Sequence, residues 1–359
     1  MTKTFYITIF IAFLSYYSST QEKIKASNAL LESLINDNVV VGASGGFSID
    51  GKTQWKSAVG YSNKNEKIDF NSGSRVRTAS IAKSMTAVAI MQLVEKGLID
   101  LNAPLDRYIP EFIQNGKTKI TTKHLLSHTS GIGDYKNDRE IENKINYQTL
   151  SEAYDVFKNR KLRFEPGTEF YYTSYGYVVL GMLIENISGL SYKDYMQQHI
   201  WDVLNMSNTG IEMVDTNEEK SRVIYHRDNR GKIKRAKINN LSNRTPAGGL
   251  YSTVDDLILF GNALLNNSLI SAETFKLMTQ HHSLEKINNG YGLGFYLYGK
   301  QPEEGSIIGH NGAQRGTSTQ LFVVPSKNVV IVVVSNTSGA IKEVQTVAGN
   351  LINIALREE

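Results

Sequence analysis

Ser80-Ile81-Ala82-Lys83-Ser84-Met85-Thr86-Ala87-Val88-Ala89-Ile90-Met91-Gln92-Leu93-Val94-Glu95-Lys96-Gly97 is the stretch on which the fold of this chain turns. Apolar and small residues cover most of its faces, and a glycine follows directly. A helix that is apolar all round belongs inside a core, and a glycine just past the last helical residue is a common terminus. The stretch therefore predicts a buried helix over residues 84–96, opened by Ser80 to Lys83 and capped at Gly97. Outward from it, strand signals lie toward both chain ends. Val39-Val40-Val41 and Gly46-Phe47-Ser48-Ile49 precede Asp50-Gly51, a two-residue hairpin signal, and then Trp55 to Tyr61. Toward the other end, Gly290 to Tyr298, Thr319 to Val324 and Val329 to Ser335 read as strands. Pro325-Ser326-Lys327-Asn328 turns the last pair, and Ala340 to Arg357 reads as a closing helix. Tyr175 to Ile187, Tyr192 to Leu204 and Thr253 to Leu265 are further helical stretches. Strands at both ends with helices between them predict an α+β fold. One antiparallel sheet is built from both ends and a mainly helical lobe lies between. The sheet lobe is expected over about 21–75 and 285–359 and the helical lobe over about 76–284, with a site in the cleft between them.

Composition narrows the chemistry. The 359 residues include no cysteine, which excludes disulfides, thiolate metal sites and a cysteine nucleophile. Residues 1–20 read as a secretory signal: Lys3, an apolar run from Phe5 to Tyr17, then Ser18-Ser19-Thr20. Cleavage is expected near Thr20, and a mature domain over 21–359 in the periplasm or outside the cell. The net charge of +4 does not point to nucleic acid. Residues 220–237 alone carry +7, with Lys220, Arg222, Arg227, Arg230, Lys232, Lys234, Arg235 and Lys237 against one acid, Asp228, so the rest of the chain is net −3. Asp228-Asn229-Arg230-Gly231 marks a turn, so this segment reads as a basic hairpin. It is a solvated protrusion or a weak contact for an anionic envelope surface.

Two serine patterns compete. Gly42-Ala43-Ser44-Gly45-Gly46 has the literal form of a nucleophile elbow, but an elbow needs a helix after its strand and here a hairpin follows. It reads instead as close strand packing. Ser-x-x-Lys occurs at Ser80 and at Ser283. The Ser283 match lies in a polar stretch with little periodicity. At Ser80 the pattern opens the buried helix. Residues three apart share a helix face, the helix N-terminus favours negative charge, and burial lowers a lysine pKa. These features suit a nucleophile and its base. They equally suit an N-capping serine followed by an unrelated lysine.

Further motifs decide between these readings. Arg77-Thr78-Ala79-Ser80-Ile81-Ala82-Lys83, Leu125-Leu126-Ser127-His128-Thr129-Ser130-Gly131-Ile132 and Phe164-Glu165-Pro166-Gly167-Thr168 appear in turn. Tyr172-Thr173-Ser174-Tyr175-Gly176-Tyr177, Pro246-Ala247-Gly248-Gly249-Leu250 and Gly309-His310-Asn311-Gly312 follow. In this order, over about residues 38–340, the chain resembles the serine β-lactamase-related family. That family includes class C β-lactamases, low-molecular-weight penicillin-binding proteins, D-aminopeptidases and esterases. The likeness is greatest to the branch holding the bacterial relatives of a mitochondrial serine β-lactamase-like protein. The resemblance implies the β-lactamase/transpeptidase fold, with Ser80 as acylated nucleophile and Lys83 as its activating partner. It implies Tyr172 as a proton relay, expected to have a lowered pKa beside an ammonium. Substrate contacts are implied at Ser174 and along His310, Asn311, Gly312 and Ala313, with the Ser80 and Ala313 N–H groups as oxyanion donors.

Two departures shift the expected substrate. Ser174 stands where relatives carry asparagine and offers one donor instead of two. His310 stands where many carry lysine and is largely neutral at pH 7. The usual carboxylate anchor is therefore lacking, and Arg315 is expected to replace it. A peptidase or esterase acting on small peptides, D-amino-acid amides or esters is favoured over an efficient β-lactamase. A penicillin-binding sensor with little turnover, like a D-Ala-D-Ala carboxypeptidase, and an assembling scaffold are the alternatives. Neither metal nor cofactor is expected. His124 and His128 have helical zinc spacing, but Leu125 stands where a zincin carries glutamate. His281-His282 reads as solvated.

Overall fold

The computed structural model describes residues 20–113, 116–213, 223–282, 290–298 and 306–357. The Ser283 match, most of the signal segment and residues 220–222 of the basic segment lie outside these. The architecture is a seven-stranded antiparallel sheet with helices on both faces and a helical lobe at one side, the β-lactamase/transpeptidase-like arrangement. Its strands are β1 (Gly42–Ile49), β2 (Lys52–Asn63), β3 (Ile68–Asp69), β4 (Tyr296–Tyr298), β5 (Ile307–Gln314), β6 (Thr317–Val324) and β7 (Val329–Ser335). They lie in the order β3-β2-β1-β7-β6-β5-β4, so both chain ends meet at the centre. The Asp50-Gly51 turn has positive φ at both residues, 51° and 73°, as a type I′ hairpin requires.

Alternation along β7 shows why every one of its residues is buried. Val329, Ile331 and Val333 face a core formed with Phe47, Trp55 and the closing helix α5 (Ile341–Ala355). Helix α1 (residues 20–36) packs on that same side through Leu31 and Leu34. Val330, Val332 and Val334 face the other core, with Val254 and Ile258 of α4 (Val254–Leu265). Helix α4 thus belongs to the sheet, although its place in the sequence assigned it to the helical lobe. Gly261 is the reason it can approach: a Cβ there would fall 2.4 Å from Val330. Gly45 and Gly46 of the serine-glycine motif play the same part, packing on Trp55 and Ile258, and Ser44 is wholly buried inside β1.

The helical lobe centres on α2 (Ile81–Glu95), which packs on α3 (Tyr175–Ser188). Gly97 (φ 71°) ends α2 in the left-handed region, and Leu98 N–H closes back on Leu93 O. Its polar side chains bond backbone carbonyls: Ser84 reaches Gly294 O at 2.8 Å and Thr86 reaches Pro246 O at 2.7 Å. Three expectations shift. Residues 39–41 are buried but precede β1, tied to α1 through Leu34 O. Only Tyr296–Tyr298 of the 290–298 stretch is strand, because Gly290 and Gly294 take positive φ and fold the rest onto α2. The helix from Tyr192 is α-helical only to Met196 and continues as a wider π turn, Gln197–Trp201.

Candidate active site

Ser80 sits at the N-terminus of α2 but does not cap it; its side chain makes no bond to the helix backbone. Instead its Oγ lies 3.2 Å from Lys83 Nζ. The residue before it, Ala79, takes φ 47°, a conformation that costs a non-glycine residue energy and recurs at functional turns. That turn is clamped from behind. Thr78 N–H bonds Leu250 O at 2.9 Å, Thr319 Oγ1 donates to Thr78 O at 3.1 Å, and Thr317 Oγ1 donates to Arg77 O at 2.8 Å.

Lys83 is wholly buried, and its other contact is the Ala247 carbonyl at 2.9 Å. Burial drives its pKa down to about 7, with Asp134 pulling upward and Arg244 pushing further down. Near neutral pH a large share of Lys83 is therefore the free amine, able to take the Ser80 proton. Its Nζ also lies 4.8 Å above the Tyr172 ring.

Tyr172 arrives on a segment laid along the His128 turn. Gly167 N–H bonds Thr129 O at 2.8 Å, Tyr171 N–H bonds His128 O at 2.9 Å, and Thr173 N–H bonds His128 Nδ1 at 3.2 Å. Its hydroxyl interacts with the Ser80 side chain, which offsets part of the cost of burying the phenolate. The expected lowering of its pKa is reversed: burial holds the phenol well above its ordinary value. Desolvation is the largest cause, and Tyr296, Tyr177 and Asp134 push in the same direction. The ring is also enclosed by His128 at 4.3 Å and by Tyr291, Tyr296 and His310 at 6.1 Å each. Tyr172 is thus a protonated hydrogen-bond donor rather than a ready phenolate.

His310 is buried in β5, and desolvation pushes its pKa down to about 3. The Asn311 carbonyl, 2.6 Å from Nδ1, can only accept. Nδ1 therefore carries the proton, and Nε2 accepts from the Tyr291 hydroxyl at 3.1 Å. Gly312 lets β5 run against the serine turn, since a Cβ there would lie 2.3 Å from Thr78 O. Beyond Gly309, β5 has no partner on its β4 side among the described residues. The edge carrying Asn311 and exposed Ala313 is open there. Ser174, nearly buried, donates its N–H to Asp134 Oδ1 at 3.1 Å. Arg315 departs from expectation: its Nε lies 2.5 Å from the Glu142 carboxylate, which occupies it as a carboxylate anchor.

The two spaced histidines diverge. His124 Nδ1 accepts from Thr121 N–H in a capping box, while His128 faces Thr173. His282 is half-buried rather than solvated, its Nε2 2.7 Å from Leu277 O. Sequence reasoning gave no role to Arg77, Asp134, Tyr177 or Tyr291. Arg77 is the most telling. It is buried, its Nε and Nη2 bond Glu212, and its Nη1 bonds Asn239 Oδ1 at 2.7 Å and Arg315 O at 2.8 Å. The strand Val76–Arg77 pairs with Leu250–Ser252, which in turn pairs with Gly210–Ile211, and this brings Glu212 alongside.

The family model described as Beta-lactamase matches residues 27–356. The mitochondrial serine beta-lactamase-like protein LACTB of Homo sapiens is 29% identical over 315 residues, 67% of this chain and 56% of that protein. The chain thus spans little more than half the length of that relative. Among solved structures, the octameric penicillin-binding protein homologue from Pyrococcus abyssi superposes with a TM-score of 0.80 at 24% identity, covering 93% of this chain and 77% of that one. The D-amino acid amidase from Ochrobactrum anthropi SV3, complexed with L-phenylalanine amide, gives 0.79 at 23% identity, covering 92% and 98%.

Proposed function

The chain belongs to the Beta-lactamase family of serine hydrolases, and from that premise we propose that it cleaves small amides or esters through an acyl-enzyme on Ser80. One observation carries the reading. A serine hydroxyl free of capping lies 3.2 Å from a buried lysine whose pKa is near 7, and that lysine's Nζ lies 4.8 Å from the ring of a protonated tyrosine. Neutral Lys83 takes the proton as Ser80 Oγ attacks the acyl carbon. The open edge of β5 beside the Ser80 turn receives the developing oxyanion. Tyr172, held protonated by burial, donates to the leaving nitrogen or oxygen, and the proton that Lys83 took from Ser80 passes to the resulting phenolate, restoring both groups. Water then releases the acyl group by the same steps in reverse.

The surroundings favour small, D-amino-acid-containing amides and esters over β-lactams. His310 is neutral and bonded to Tyr291, Arg315 is paired, and Ser174 offers one hydroxyl where an amide would offer two donors. No free cation of this set stands ready for a substrate carboxylate. The similarity to a D-amino acid amidase supports the same substrate class. The signal-like sequence of residues 1–20 supports a reaction outside the cytoplasm, which N-terminal sequencing of the mature chain tests.

Intact mass after exposure to a fluorophosphonate tests the mechanism. One adduct on the wild type and none on Ser80→Ala is the expected result; equal labelling of both removes Ser80 as nucleophile. Alongside it, a panel of D-amino amide, short ester, D-Ala-D-Ala peptide and cephalosporin measures turnover. A single equivalent of product followed by silence on every member reassigns the protein to the sensor class.

A further inference from the structure

A cavity of about 570 Å³ is lined in part by Val76 and Arg77, the strand that leads into the serine turn. None of Ser80, Lys83, Tyr172 or His310 lines it. One wall is apolar: Phe70, Val76 and Ile224 are buried there, and Ile68 stands at the rim 51% exposed. Its polar amides are already committed. Asn336 accepts from Gly42 N–H and donates to Tyr61 O, and Asn63 accepts from the backbone of its own turn. Three arginines line the space, and one of them, Arg77, is already bound to Glu212 and Asn239. Arg75 is held over the Tyr251 ring at 5.2 Å with one nitrogen 3.3 Å from Asn208. Arg235 is exposed on the basic hairpin and forms no ion pair with any described residue. Glu66 is the single acid of the lining. The basic segment that the proposed hydrolysis leaves unused thus supplies one side of a built cavity. Tyr225–Arg227 and Ile233–Arg235 form its hairpin, pinned to the sheet lobe by Thr337–Ser338.

We infer that this cavity binds an amphipathic carboxylate: a short acyl chain against Phe70, Val76 and Ile68, with its head group on the exposed guanidinium of Arg235. A guanidinium fork matches a carboxylate in both charge and shape, and a neutral or cationic head group has no comparable partner there. An apolar wall opposite a few convergent polar groups is the usual form of a small-ligand site. The inference does not depend on Ser80 being a nucleophile.

Calorimetric titration of the full chain with octanoate at low ionic strength tests it, with octanol and octyltrimethylammonium as neutral and cationic counterparts. One octanoate per chain is expected, with the counterparts at least about tenfold weaker. Arg235→Glu should weaken octanoate about tenfold or more, and Ile68→Asn by roughly threefold to tenfold. Lys327→Glu, an exposed charge reversal at the far end of β6, should leave the affinity unchanged. All three positions are on the surface, so the variants should keep the parental melting temperature. Octanol binding as tightly as octanoate overturns the inference, as does an affinity indifferent to Arg235→Glu. Loss of octanoate binding after fluorophosphonate labelling also overturns it, because the ligand would then have been in the cleft.

Discussion

Arg77 and Lys83 stand three residues to either side of Ser80, and both are buried cations. Their surroundings differ in one respect. Arg77 has a carboxylate, Glu212, with Asn239 and two carbonyls completing its donors. Lys83 has one carbonyl and one hydroxyl, and no carboxylate in contact among the described residues. A paired buried charge is a rigid clamp, because removing either partner strands the other. An unpaired one sheds its proton, because desolvation penalises the charged form. The segment before Ser80 thus spends its buried charge on position, and the helix after it spends its own on reactivity.

The comparison can be broken most sharply at Lys83. Lys83→Met should reduce acylation of Ser80 by about 10⁴-fold. The same change should stabilise the fold. The folded pKa of Lys83 is about 7, against about 10.4 when unfolded, so between these values the unfolded state holds a proton that the folded state lacks. The cost of burying Lys83 is fully present below about pH 7 and is relieved as pH rises toward the unfolded value. Thermal melts at pH 6 and pH 10 should show the methionine variant gaining most at pH 6, and a lower melting temperature there would refute the contrast. Arg77→Met should do the opposite, losing about 3–5 kcal/mol of stability by leaving Glu212 unpaired. Arg77→Met with Glu212→Leu should recover much of that loss in denaturant titrations; no recovery would show that Arg77 acts through its packing.

Two smaller effects sharpen the picture. Tyr172→Phe should lower acyl transfer by about 10²–10³-fold with little change in KM, as loss of a proton donor does. A large KM change with an intact rate would make Tyr172 a binding group. Asp134 raises the Lys83 pKa by its charge, so Asp134→Asn should move the rising limb of the pH–rate profile below 7. A shift to higher pH would contradict that electrostatic assignment.

The fold was largely legible because its signals are local. Asp50-Gly51, the apolar run of α2 and the Val329–Ser335 strand each announce themselves within a few residues. Ser80, Lys83 and Tyr172 were legible as ordered motifs, and the structure brings all three together. Arg77 was visible in its motif, but its role was not. Glu212 lies 135 positions away, and only the three short strands at Val76, Leu250 and Gly210 join them. The pKa of Tyr172 was misread for a similar reason, since rings from β4, β5 and the Tyr291 segment close over it and no single stretch reveals that enclosure. Arg315 failed as an anchor because Glu142, from a loop far back in the chain, had already claimed it.

The fully buried strand β7 has a bearing on how the molecule comes into being. Val-Val-Ile-Val-Val-Val-Ser is apolar on both faces, uncharged and free of proline, the pattern that stacks into cross-β layers when left unpaired. Its partner β6 is next in sequence, whereas β1 is made at the opposite end of the chain. Until β1 and the two covering helices arrive, the centre of the sheet is an adhesive ribbon. Recovery from denaturant is therefore a race between distant strand pairing and association of neighbouring chains, won at low protein concentration and lost as concentration rises.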